Sequence, residues 1–160
     1  MPIELKLLLL VVIANGVPVV AAAICGHWGA KPLDGGRLLT DGRRLLGDSK
    51  TWRGVWLALL ATGAGAILLE LPAVAGLVVG TAAMLGDLLS SFVKRRLGVP
   101  SSGMALGLDQ IPEALLPLLV VAGEFGLTWP AIGWTVAGFV ALELGLSPVF
   151  FRLGIRNRPY

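Results

Sequence analysis

The sequence predicts an all-α integral membrane protein with about five transmembrane helices and two polar cytoplasmic loops, and three observations lead there. Of 160 residues, 56% are hydrophobic and only 14% charged, against about 25% charged in a soluble domain. That leaves too little polar surface to cover a water-soluble body of this size. The mean hydropathy of +0.83 excludes disorder, because disordered chains lack apolar residues to bury. Finally, twelve of the thirteen Lys and Arg residues fall into three clusters separated by apolar stretches. A lone cysteine, Cys25, excludes a disulfide scaffold.

The elements follow in order as a single transmembrane domain over residues 1–160. The first span, roughly 5–26, has no charge between Lys6 and Lys31. Glu4 and one lysine make a poor basic leader, so this run reads as a membrane helix rather than a removable signal peptide. A polar loop at 27–53 holds Lys31, Arg37, Arg43, Arg44, Lys50 and Arg53. The second span, roughly 54–70, is uncharged until Glu70, and Pro72 marks a tight turn into the third, roughly 73–93. A second loop at 94–110 opens with Lys94, Arg95 and Arg96. The fourth span, roughly 111–127, has ten uncharged residues between Glu113 and Glu124 and is interrupted by Pro112 and Pro117. It is the segment most open to being re-entrant. The fifth runs over roughly 130–151 into a basic tail with Arg152, Arg156 and Arg158.

Five spans put all three cationic clusters on one side, and the positive-inside rule makes that side the cytoplasm of a multi-pass cell-membrane protein. The C-terminus is then cytoplasmic and the N-terminus outside. Gly63, Gly65, Gly76 and Gly80 read as helix-packing residues, because small side chains let backbones approach closely in lipid. Trp28, Trp52, Trp56, Trp129 and Trp134 lie near span ends, as an aromatic belt does. His27 has no histidine partner at metal-ligand spacing, and Cys25 reads as buried and inert.

Chemistry is written into the first loop. Asp34, Asp41 and Asp48 recur every seven residues, as do Arg37 and Arg44, which on a helix would gather each set on one side. Gly35, Gly36, Gly42 and Gly47 oppose one unbroken helix. A solvated positive-inside loop needs only cations, so interleaved aspartate, arginine and glycine point instead to a phosphate site with a metal. Two near matches fail. The run from Gly42 to Thr51 has two residues too many before Lys50 for a phosphate-binding P-loop, and no strand precedes it. Asp41-Gly42 with its arginines lacks the later paired aspartates of CDP-alcohol phosphotransferases.

The third span carries a sharper pattern. Asp87, Ser90, Ser91 and Lys94 fall at i, i+3, i+4 and i+7 on one helical face. An aspartate at that depth is costly unless it is paired, metal-bound or in a water-filled cavity. Asp109 and Gln110 close the second loop, and two carboxylates beside clustered cations suggest a divalent ion on a polyphosphate. Asn15 either hydrogen-bonds across helices or reaches the site. Glu113 is either a supporting partner or a boundary residue reaching toward water.

Taken together, Asn15-Gly16, Pro32-Leu-Asp34, Asp41-Gly-Arg-Arg44, Gly47-Asp-Ser-Lys50-Thr-Trp-Arg-Gly54, Gly86-Asp87, Ser91-Phe-Val-Lys94-Arg-Arg96 and Leu108-Asp109-Gln110 resemble the CDP-archaeol synthase family. One patch, Gly86-Asp87-x-x-x-Ser91-x-x-Lys94-Arg95, is also similar to the larger phosphatidate cytidylyltransferases. Asp109 matches the first aspartate of their later segment, whereas Gln110 replaces their arginine and their second aspartate is missing. The resemblance implies a Mg²⁺-dependent nucleotidyltransferase that joins CTP to a membrane lipid phosphate, giving CDP-lipid and pyrophosphate, with no nucleic-acid partner. It implies Lys50, Lys94, Arg95, Asp87 and Asp109 as catalytic residues, with the metal on Asp87 and Asp109. For substrate binding it implies Asn15, Asp34, Gly35, Asp41, Gly42, Arg43, Arg44, Gly47, Lys50, Thr51, Arg53 and Ser91.

A reading from another class is a small membrane binding or transport protein whose basic loops contact anionic lipid. Such attraction needs Lys and Arg, and leaves Asp34, Asp41, Asp87 and Asp109 without a role.

Overall fold

A computed structural model describes residues 1–101, 103 and 105–155. It holds five helices, α1 (Ile3–Cys25), α2 (Trp52–Leu68), α3 (Ala73–Arg96), α4 (Gln110–Phe125) and α5 (Trp129–Arg152). Among the described residues there is no strand, only two isolated bridges within the first loop, Pro32 with Thr51 and Leu38 with Arg44. The tail cations Arg156 and Arg158 lie outside the described residues.

Helix starts follow local chemistry. Thr51 Oγ1 accepts from the Gly54 amide at 3.1 Å and caps α2, and Thr128 caps α5 in the same way. Gly126 ends α4 in the left-handed region. The third helix runs on through Lys94, Arg95 and Arg96, so these cations belong to its last turn and not to the loop. Positive charge there complements the helix dipole.

The core comprises Leu7, Leu10 and Val11 of α1, Val79 of α3, Leu118 and Val121 of α4, and Ile132 and Phe139 of α5. The outer faces carry large apolar side chains such as Ile24, Trp56, Leu68 and Trp134, as suits a molecule whose solvent is lipid. Helices α1, α3 and α5 are each long and apolar enough to cross a membrane, and this is a membrane protein. Helices α2 and α4 are shorter, at 17 and 16 residues.

Glycine sets the spacing around α3. A β-carbon on Gly76 would lie 2.2 Å from the Thr62 carbonyl oxygen, and one on Gly80 would lie 2.3 Å from Thr62 Oγ1. At the other end of α3 a β-carbon on Gly86 would lie 2.2 Å from the Pro112 carbonyl oxygen of α4. Cys25 is half-buried, not buried as the sequence suggested. It closes one end of an apolar groove of about 410 Å³ that runs along α1 from Val12.

Candidate active site

The first loop is organised by one buried acid. The Asp34 side chain has no exposed surface, and its two oxygens take five hydrogen bonds. Arg44 donates through Nη2 at 2.7 Å and Nε at 3.2 Å. The amides of Gly36, Leu46 and Gly47 donate at 3.0, 3.0 and 3.1 Å. Burial alone would raise the Asp34 carboxyl, but Arg44 and the three amides hold it well below the usual carboxylate range. Arg44 also pairs with exposed Asp48 at 2.7 Å. No helix forms in this loop: Asp34 is buried, Asp48 exposed, and the seven-residue spacing does not gather the aspartates on one face.

This loop docks on the C-terminal end of α3. Asp41 pairs with Arg96 at 2.7 Å, and Arg43 Nη1 donates to the carbonyl oxygens of Arg95 and Arg96. Gly47 lies so close that a β-carbon there would stand 2.9 Å from Arg95 Nη1. Its φ of +102° also excludes most other residues. Arg43, Arg44, Gly47, Asp48 and Arg95 meet the segment from Gly98 to Ser101 around a cavity of about 310 Å³. Arg95 is 6% exposed, and among the described residues its Nε has no hydrogen-bond partner.

Two lysine–aspartate pairs lie on α3 and beside it. Lys50 Nζ sits 2.6 Å from both oxygens of Asp87, the position a hard cation takes on a carboxylate. Burial would lower the Lys50 ammonium, but the Asp87 carboxylate, with Glu113 and Asp109 nearby, raises it. Lys94 Nζ sits 2.6 Å from Asp109 Oδ1 and donates to the Gly103 carbonyl at 2.8 Å. Asp109 Oδ2 accepts from the Ala105 amide at 2.9 Å, and Gln110 Oε1 accepts from the Gly107 amide at 2.8 Å.

The fold thus brings Lys50, Asp87, Lys94, Arg95 and Asp109 to one end of the bundle, under the loop that carries Asp34, Asp41, Arg43, Arg44 and Gly47. Ser91 is buried on α3. Thr51 serves as the α2 cap, and Arg53 is occupied by the carbonyl oxygens of Gly26 and Trp28. Gly35 and Gly42 shape turns in the left-handed region. The Asn15 Nδ2 donates to the Val11 carbonyl of its own helix at 3.0 Å.

Glu113 was undecided in the sequence and is decided by the structure. It is 8% exposed, and its carboxyl lies within hydrogen-bonding reach of Asp87. The signal was present: an acid in the first turn of an apolar helix, one turn after Asp109. Among the described residues no three His, Cys, Asp or Glu side chains gather as a metal site. The donor set nevertheless fits Mg²⁺, which usually takes one or two carboxylates and completes its shell with phosphate oxygens and water.

Comparison with known proteins fits this picture. The model of the CarS-like CDP-archaeol synthase family matches residues 3–73 and 65–160. The CDP-archaeol synthase of Aeropyrum pernix is 37% identical over 162 residues, covering 96% of this chain and 89% of that one. Its counterpart in Methanosphaerula palustris is 33% identical over 165 residues, covering 90% and 97%. A solved structure, described as an intramembrane enzyme for archaeal membrane lipid biosynthesis, superposes with a TM-score of 0.77 at 36% identity. It spans 88% of this chain and 90% of that chain.

Proposed function

This chain belongs to the CDP-archaeol synthase family, and from that premise we propose that it is a CTP-dependent cytidylyltransferase. Its substrates are CTP and a membrane lipid phosphate of the archaeal ether type, and its products are CDP-lipid and pyrophosphate. The observation that supports this reading most is the pairing of Lys50 with Asp87 and Lys94 with Asp109 at the end of the bundle where Arg43, Arg44 and Arg95 line a cavity. A loop that merely attracts anionic lipid needs no such buried acid–base pairs.

The chemistry requires little covalent help. A phosphate monoester is already a nucleophile near neutral pH, so one of its oxygens attacks the α-phosphorus of CTP. The bond from that phosphorus to the oxygen bridging to the β-phosphate breaks, and pyrophosphate leaves with the electron pair. What the protein contributes is positioning and charge. Lys50 exchanges its carboxylate for phosphate oxygens, Lys94 adds positive charge from its place beside Asp109, and the arginines around the cavity neutralise triphosphate and leaving group. Asp87 and a second carboxylate would hold Mg²⁺, which would supply further charge compensation there. Asp34 acts at a distance, holding the Leu46 and Gly47 amides and so the approach to Lys50. The apolar groove on α1 takes a lipid chain. Both loops face the cytoplasm, where CTP is found, with the C-terminus on that side.

The deciding experiment uses purified protein in detergent with labelled CTP and a panel of lipid phosphates, with Mg²⁺ or with chelator. CDP-lipid formed only with the metal supports the proposal. Absence of product with every lipid phosphate refutes it and favours a non-enzymatic lipid-binding protein.

A further inference from the structure

We propose that Glu113 is the carboxylate that joins Asp87 on the divalent cation, and that Asp109 instead fixes Lys94 and the second loop. The inference deepens the cytidylyltransferase reading and rests on it.

The backbone comes first. At Gly86 the α3 chain touches α4 so closely that a β-carbon would stand 2.2 Å from the Pro112 carbonyl oxygen and 2.9 Å from the Glu113 amide nitrogen. The residues that follow each side of this contact are Asp87 and Glu113 themselves. Their separation is therefore set by two helix backbones in contact, which is the rigid support a metal site needs. Gly86 is here a condition of the geometry.

The side chains agree. Glu113 is buried in the first turn of α4, and a buried acid needs a partner. The charged groups that face it are Asp87 and Lys50, with Glu143 of α5 beyond. Two carboxyls this close repel when both are ionised, so they either share a proton or take a cation against them. Lys50 supplies one positive charge for the pair, and its ammonium lies against the two Asp87 oxygens. A divalent cation placed there satisfies both acids and releases Lys50 toward phosphate.

Asp109 has other work. One oxygen holds Lys94 and the other holds the Ala105 amide. Drawing it onto a metal would free Lys94 and undo the turn that leads into α4. Its loss will therefore lower activity without removing a metal ligand.

The test uses full-length protein in detergent without nucleotide, Mn²⁺ as the probe, and electron paramagnetic resonance to read free against bound ion. Asp87→Asn and Glu113→Gln should each weaken binding about tenfold or more, while Asp109→Asn stays within about twofold of wild type. If Glu113→Gln binds like wild type while Asp87→Asn does not, the inference falls and the metal-dependent reading stands. If Asp87→Asn also binds like wild type, the metal reading itself falls. Wild-type protein that takes up no Mn²⁺ overturns the inference as well. Should Glu113→Gln fail to fold, Fe²⁺-driven backbone cleavage of wild type decides. Cuts in the first turn of α4 together with α3 uphold it, and cuts confined to α3 and residues 103–109 overturn it.

Discussion

Replacing Gly86 by alanine adds a single methyl group at the most crowded point beside the candidate site. Its β-carbon would meet the Pro112 carbonyl oxygen at 2.2 Å, the Pro112 carbonyl carbon at 2.6 Å and the Glu113 amide nitrogen at 2.9 Å. All three are backbone atoms, so no side chain can rotate away. Non-bonded heavy atoms settle at about 3.5 Å or more, which forces α3 and α4 apart by roughly 1 Å. Overpacking of this kind costs about 1–3 kcal/mol of stability. The same shift separates Asp87 from Glu113, and a misplacement of about 1 Å in a site that works by positioning costs roughly a hundredfold in rate. Gly133→Ala is the control, since nothing lies within 4 Å of its added carbon, and it should be neutral or stabilising by up to about 1 kcal/mol. CDP-lipid formation from labelled CTP and thermal unfolding in detergent read the two effects. A Gly86→Ala protein with wild-type melting and a rate within about threefold of wild type, where a hundredfold loss is expected, would refute the reasoning.

Other outcomes follow from the same geometry. Lys50→Ala and Lys94→Ala should each lose at least about a hundredfold in turnover, whereas Arg152→Ala, exposed at the end of α5, should stay near wild type; equal mild losses at all three would favour general attraction to anionic lipid. Asp34→Asn should loosen the first loop by about 3–5 kcal/mol, the cost of stranding Arg44 and two amides, and limited proteolysis between residues 36 and 49 reads it. Because the Asp34 carboxyl is held below its ordinary value of 3.8, its contribution is complete above that pH and is lost only as pH falls through the lower folded value. Protection of the wild-type loop should therefore be flat between about pH 8 and 5, and a decline across that window would count against the assignment. A reporter fused to the C-terminus should be found on the cytoplasmic side, and an external one would mean that α4 turns back within the membrane.

The all-α membrane fold was legible because lipid leaves a long one-dimensional record: apolar runs, charge clusters and proline breaks. What that record hid was contact between segments. The regular spacing of Asp34, Asp41 and Asp48 suggested a shared face, yet burial separates them, and the glycines that opposed a helix were the better guide. Asp34 looked like one of several loop acids, and only its five donors reveal its structural part. Glu113 was ambiguous because a carboxylate one turn into an apolar helix has two outcomes, reaching outward or finding a partner inward. Which one applies depends on α3, which no local pattern encodes. Asn15 shows a further outcome that spacing does not reveal, since a polar residue within a span can bond to its own helix one turn back.

The lysine that answers Asp87 precedes it by 37 residues, and this order matters while the chain is being made. A ribosome delivers Lys50 and the capped start of α2 before α3 emerges, and Glu113 follows only with α4. The positive partner is thus already at the membrane face when the first acid arrives, so Asp87 need not wait in lipid as a lone charge. Were the order reversed, the nascent helix would carry an unanswered carboxylate until a later segment arrived to rescue it. Vectorial synthesis and the arrangement of charge along this chain therefore work in the same direction. A circular permutation that placed the first loop after α4 would retain every contact of the finished molecule while removing that advantage during its biogenesis.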